Sequence, residues 1–378
     1  MKLAIVRSRY NPFGGAERFI ERALAPLAAS GLAITLVTRA WRSGDEAPYE
    51  LLICNPPFLG RLSRDVGFAR CVRSRTTAAG FDLVQSHERI PGCSIYRAGD
   101  GVHASWLASR ARVDGWLARI AIRLSPWHRY VLAAEARLFR DPALRRVVCN
   151  ANMVADDIRR RFGVPEDKLT VIYNAVDGEH FHPGLRVEHR ARVRAELEVP
   201  ASSPVAIFVG SGFRRKGVGT LLRAAASVPE LGVWIVGADR RTQSYRRLAA
   251  RLGLTSRVRF LGPCADVRPY LAAADLFALP TLYDPMPNAA LEAMACGLPV
   301  LTTPGSGAAE LIADGRNGYV LDALDVGAWS DCLHRLSAPG VAASMGPAAR
   351  AAVAELDPQT MAARRLTLYR ELLPAGSG

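Results

Sequence analysis

Two carboxylates, Asp284 and Glu292, stand eight residues apart in the segment ADLFALPTLYDPMPNAALEAMACGLPVLTT, residues 274–303. DLFALP is a short, mostly apolar run suited to the interior of a parallel sheet. The loop TLYDPMPN is rich in breakers and is stiffened by Pro285 and Pro287. Asn288 is expected to cap a helix over AALEAMAC, and Gly297 to stop it before the strand LPVLTT. A loop leaving the carboxyl end of a buried strand lies where open α/β sheets bind ligands, and the N–H groups that open a helix attract an anion. Glu292, about one turn inside the helix, can accept from two neighbouring hydroxyls. Anion plus diol is what a nucleotide sugar presents.

A second cluster lies in VGSGFRRKGVG, residues 209–219. Small residues, Ser211 and Gly212 among them, follow an apolar strand, and Arg214, Arg215 and Lys216 come just before the next helix. Arginine grips phosphate through two donors and lysine adds a compact charge. Gly14-Gly15, after the first strand, reads either as an anion cradle or as a plain strand-to-helix turn. The dinucleotide fingerprint GxGxxG is absent, which weakens a hydride-transfer reading. No Asp-x-Asp pair is present to hold a diphosphate through a divalent ion. A departing diphosphate would then be neutralised by Arg215, Lys216 and helix N-termini. His180, His182 and His189 lack a further ligand at metal spacing, so neither metal nor cofactor is expected. In YRAGDGVHASWL, residues 96–107, Asp100 and His103 follow a strand end. Asp100, between two glycines, suits a turn cap or a site residue.

These groups need elements to hold them. Short apolar strands alternating with helices imply parallel βαβ units, hence an α/β chain. At 378 residues two domains are expected. The breaker-rich stretch NAVDGEHFHPG separates them, giving an N-terminal domain over 1–183, a C-terminal domain over 184–355, and a terminal helical piece over 356–378 able to pack back on the first. The apolar runs are too short for a membrane span or a secretory signal. Seven cysteines are scattered without a CxxC pair, which suits reduced thiols in a cytosolic protein and argues against a disulfide frame. The net charge is +14, and residues 1–185 hold 27 basic against 18 acidic groups. Residues 110–140 carry seven arginines against two acids, with Trp116, Trp127 and Tyr130 interleaved. That pattern fits an interfacial helix on an anionic membrane or an amphipathic helix packed on its own domain. No nucleic-acid motif accompanies it.

Taken together, FGGAER (13–18), IYNAVDGEHFHP (172–183), VGSGFRRKGV (209–218), AAADLFALPTLYDPMPNAALEAMACGLPVLTT (272–303) and ELIADGRNGYV (310–320) resemble glycosyltransferase family 4. Within it, YNPFGGAER, IPGCSIYRAGDGVH and GSGFRRKG look most like the lipopolysaccharide core glucosyltransferases. The resemblance implies the GT-B fold, two Rossmann-like domains facing across a cleft. It also implies a retaining, metal-independent transfer of a hexose, glucose by expectation, from a UDP-sugar to a glycan or glycolipid. Glu292 would bind the donor ribose, Arg215 and Lys216 the diphosphate, and Gly14 and Gly15 would approach it from the other domain. Asp284 stands where the family's first acidic residue contacts the donor sugar, one methylene shorter than the usual glutamate. Asp100 is the second catalytic candidate. Ser211 replaces an arginine common in the wider family, a gap for Arg215 to fill. His103, Ser211, Gly212, Asn288 and Ala289 complete the candidate binding set. The expected location is cytoplasmic, peripheral on the membrane through the basic N-terminal half. The competing readings are a non-catalytic nucleotide-sugar or membrane-binding module, and a nucleotide-sugar epimerase or dehydrogenase.

Overall fold

The computed structural model describes residues 1–8, 31–41 and 49–373. Gly14, Gly15 and the helix expected to follow them lie outside the described residues. The chain divides into two compact units, Met1–Asn174 with Pro358–Gly378, and Ala175–Asp357.

The first unit is built on a parallel sheet. Its strands are β1 (Lys2–Val6), β2 (Ala33–Thr38), β3 (Glu50–Ile53), β4 (Leu83–Ser86), β5 (Ile95–Arg97), β6 (Arg146–Cys149) and β7 (Leu169–Val171). They lie in the order β3-β2-β1-β4-β5-β6-β7. The second sheet takes β8 (Val205–Val209), β9 (Gly232–Val236), β10 (Val258–Gly262), β11 (Leu276–Ala278), β12 (Val300–Thr302) and β13 (Gly318–Val320) in the order β10-β9-β8-β11-β12-β13. Every strand pairing is parallel. Strands covered on both faces must be apolar throughout, which is why KLAIV and VAIFV are buried almost end to end. Strand order reverses beside β1 and beside β8, so each sheet has a switch point where the loops of two adjacent strands diverge and leave a crevice.

The boundary falls at 174/175, earlier than the 183/184 expected. Residues 175–183 are tied into the second unit: Val176 N donates to Leu356 O at 2.7 Å, and the Arg350 guanidinium reaches Phe181 O at 3.0 Å and Gly178 O at 3.2 Å. A breaker-rich composition marks irregular backbone, and here that backbone is held by one long cation. The helix Pro358–Glu371 belongs to the first unit, where the buried Tyr369 hydroxyl donates to Gln85 Oε1 at 2.8 Å.

In the second unit Arg186, Arg190 and Arg194 recur every fourth residue on the helix Leu185–Glu196 and so share one face. All three converge on Asp275 at the mouth of β11, with the buried Arg194 at 2.6 Å. This carboxylate also accepts from Val205 N at 3.0 Å, locking β8 and β11 side by side.

One expectation is overturned. Cys54, just after β3, and Cys71, on the helix Gly60–Ala79, form a disulfide. Nothing in their spacing of 17 residues announces the pair; the helix brings Cys71 onto a core cluster that contains Cys54, Val6, Val37 and Phe68.

Candidate active site

The loops that follow β8 and β11 leave neighbouring strands at the second switch point, and they are stitched together. Leu282 N donates to Arg215 O at 2.8 Å, and Thr281 Oγ1 to the same carbonyl at 3.2 Å. Arg215 returns a guanidinium bond to Tyr283 O at 2.8 Å. Glycine makes the approach possible: at Gly217, with φ +76°, a Cβ would lie 1.9 Å from Pro280 O. At Gly210 a side chain would occupy the path of the Lys216 side chain, 2.7 Å from its Nζ.

The outcome is a charge cluster. Asp284 Oδ2 lies 3.1 Å from Lys216 Nζ and 3.3 Å from Arg215 Nη1. Burial pushes the Asp284 carboxyl up, but Lys216 and Arg215 outweigh it and hold its pKa below the ordinary value of 3.8. The carboxylate is therefore ionised at neutral pH and its backbone is pinned by Gly305 O, which accepts from Asp284 N at 2.9 Å. The sequence assigned the carboxylate and the two cations separate tasks; the structure makes them one cluster.

The helix Asn288–Ala295 starts directly behind this loop. Asn288 is its first helical residue and not its cap. That place belongs to Pro287, whose extended backbone precedes the first turn, and no side chain caps the helix. A proline carries no side-chain acceptor, so Asn288 was the natural choice from sequence, but Pro287, with its fixed φ, takes the cap place and the helix starts one residue earlier, at Asn288. Asn288 and Ala289 thus form the first turn, and Glu292 lies one turn in, 3% exposed. Ser211 and Gly212 sit on the rim, where Ser211 Oγ accepts from Ala238 N at 3.3 Å and Asp239 Oδ2 accepts from Phe213 N at 2.8 Å.

The other two candidates are on the first unit, near its own switch point. Asp100, about half exposed, lies 3.6 Å from Arg7 Nη1. His103 opens the helix His103–Ala111 and is buried. Its N–H donates to Glu135 Oε1 at 2.9 Å, and its Nε2 lies 3.0 Å from His128 Nδ1. Burial, then Arg89 and His128, push its pKa down to about 3, so the ring is neutral at physiological pH. Both residues border a cavity of about 290 Å³, which Arg64, Asp65, Glu88, Trp127 and Tyr130 also line.

Sequence reasoning missed Glu135. This buried carboxylate caps the helix at His103 and accepts from Arg89 Nε at 2.9 Å. A signal existed, since it is one of only two acids among the arginines of residues 110–140. Among the described residues no group of three or more His, Cys, Asp or Glu is placed to hold a metal ion.

Two Rossmann-like units, each with a crevice at its switch point, are the architecture of the GT-B fold. A solved structure of WaaG, a glycosyltransferase involved in lipopolysaccharide biosynthesis, superposes with TM-score 0.83 over 97% of this chain and 99% of that one, at 24% identity. HepE of Anabaena, solved with UDP-glucose, gives TM-score 0.72 over 98% and 100%, at 21% identity. A family model described as glycosyltransferase family 4 matches residues 13–180, and one described as glycosyl transferases group 1 matches residues 203–338. In sequence the chain is 26% identical to the lipopolysaccharide glucosyltransferase WaaG of Escherichia coli K12, over 85% of each chain. It is 30% identical to a D-inositol 3-phosphate glycosyltransferase of Mycolicibacterium smegmatis, over 85% of this chain and 78% of the relative. The chain belongs to glycosyltransferase family 4.

Proposed function

We propose that the chain moves a glucosyl residue from UDP-glucose to a glycan or glycolipid acceptor of the lipopolysaccharide-core kind, with retention and without a divalent ion. The observation that carries this reading is the pairing of Arg215 and Lys216 with the buried, ionised Asp284 at the switch point. Charge that grows on a leaving diphosphate is best stabilised by donors fixed beforehand, which then need no reorganisation during the reaction. Both side chains carry more N–H donors than Asp284 can occupy, so each can hold the carboxylate and still donate to phosphate. The uncapped first turn at Asn288 and Ala289 adds the partial positive charge of a helix N-terminus. Glu292 takes the ribose hydroxyls, and Ser211 and Gly212 border the phosphates. As the bond from the anomeric carbon to UDP breaks, the acceptor oxygen attacks from the same face. Its proton passes to the leaving phosphate oxygen, and the configuration is kept. Asp284 fixes the two cations and favours positive charge at the anomeric carbon.

On the first unit, the cavity beside Asp100 and His103 takes the acceptor. Its mixture of carboxylates, arginines and aromatic rings suits a sugar, whose hydroxyls need partners and whose C–H faces pack on rings. The WaaG relative and the UDP-glucose complex of HepE support the donor and the acceptor class.

The site of action is a membrane surface. The helix Trp116–Leu124 exposes Trp116, Leu117 and Ile120, the first at 69%, on one face beside Arg119 and Arg123. Apolar residues with flanking arginines describe a helix lying in an anionic interface. No helix of the described residues is long and apolar enough to cross a membrane.

The test is transfer from UDP-glucose to truncated lipopolysaccharide core in excess chelator, with the new anomeric proton read by NMR. An α-linked product is expected. Replacing Arg215 and Lys216 together by alanine should lower turnover on the order of 10²-fold. Strict dependence on added metal, a β-linkage, or full activity of the double variant would overturn the reading.

A further inference from the structure

A second cavity of the first unit lies away from Asp100. It measures about 610 Å³ and opens between the helices His103–Ala111, Trp116–Leu124 and Pro126–Phe139. Leu107, Ile122, Leu124 and Leu132 make it apolar, whereas the smaller cavity is lined by acids and arginines. Three arginines stand around it, Arg119, Arg123 and Arg129, and no described acidic side chain lines it. Arg119 is engaged in the frame: its Nε donates to Asp114 O at 3.0 Å and its Nη2 donates to Ala111 O. Arg123 and Arg129 are exposed.

The helix beside this cavity is unusual for its composition. Trp116–Leu124 reads WLARIAIRL, yet none of its residues is buried. Pro126 forces a break after Ser125, and Ser125 Oγ caps the next helix at His128 N, so the short helix swings off its neighbour. Its outer face carries Trp116, Leu117 and Ile120, and its inner side turns Ile122 toward the cavity. So short a helix holds its shape in water only when apolar surface is covered. A membrane would cover the outer face and leave the inner one as it is.

We propose that the cavity binds one acyl chain of an anionic phospholipid, whose phosphate is held by Arg123 and Arg129. An acyl chain fits because it asks for no hydrogen bonds from leucine and isoleucine walls. A peptide would bury amide groups there without partners. The cations without acids select a negative headgroup, and the volume lies within the range of small-molecule pockets. This extends the membrane reading without depending on it. A surface helix needs only a bilayer, whereas a cavity binds single lipid molecules.

The experiment titrates the full chain with dihexanoylphosphatidylglycerol below its critical micelle concentration, followed by calorimetry and native mass spectrometry. One lipid per chain is expected, with affinity on the order of tenfold above dihexanoylphosphatidylcholine. Ala111→Trp and Leu132→Trp fill the cavity and should abolish this binding. Both should still sediment with phosphatidylglycerol vesicles through the outer face, with thermal melts confirming that they fold. Arg123→Glu with Arg129→Glu, at exposed positions that folding does not need, should weaken binding of the single lipid on the order of tenfold or more. Failure of the monomeric lipid to saturate, or unchanged affinity in the filled variants or in the reversed-charge variant, would overturn the proposal. Loss of vesicle sedimentation alone, in a variant of Trp116, Leu117 and Ile120, would leave it standing while removing the surface contact.

Discussion

Asp284 is ionised because two cations outweigh its burial, and that balance has a measurable consequence. Its folded pKa is depressed, so its charge stabilises the native state above the unfolded value of 3.8 and the contribution is lost as pH falls through the folded value. The Asp284→Asn variant should therefore unfold at lower denaturant than the parent at pH 7. The gap between the two should close once the pH is well below 3.8. A gap independent of pH would mean that the amide destabilises the fold for steric reasons and that the ion pairs contribute nothing. His103 shifts the same way with the opposite charge. Burial and neighbouring cations keep the ring neutral down to about pH 3, so the folded state resists protonation that the unfolded chain accepts near 6.5. Stability from this residue is present above 6.5 and fades as the pH falls toward 3. Proton NMR of the His103 ring should show no titration between pH 5 and 8, where an ordinary histidine changes charge.

Helices decide where chemistry and surface meet. The short helix Asn288–Ala295 is placed by a proline, and its buried Glu292 follows from that start. The helix Trp116–Leu124 is set apart by another proline and keeps its apolar face outward. Replacing Trp116, Leu117 and Ile120 by serine should abolish flotation with anionic vesicles without lowering the melting temperature, since none of the three is buried. A drop in melting temperature with unaltered flotation would instead identify the face as packed within the protein. Secondary structure alone did not divide these outcomes: arginines spaced among aromatics serve a packed helix as well as an interfacial one.

At the scale of the molecule, the chain leaves its first unit at Asn174, builds the second, and returns at Pro358. The returning helix buries Met361, Leu368 and Tyr369 and supplies a hydrogen bond to Gln85 beside the end of β4. Ending the chain at Asp357 should speed amide exchange in β4 and β5 and leave β8 and β11 protected, because the second unit closes its own core without that helix. Equal loosening in both units would contradict this division. The sequence by itself determined the alternation of strands and helices, because a parallel sheet buried on both faces demands runs such as VAIFV with breakers between them. It also singled out as candidates Asp284 in a loop, Glu292 one turn inside the following helix, and Arg215 and Lys216 after a strand. What it left open depends on distance in space. Asp284 and Lys216 are 68 residues apart in the chain and meet only because β8 and β11 are neighbours. Cys54 with Cys71, and Glu135 with Arg89 and His103, were hidden for the same reason. Local pattern follows from neighbours along the backbone, whereas these pairs are made by the order in which strands enter a sheet.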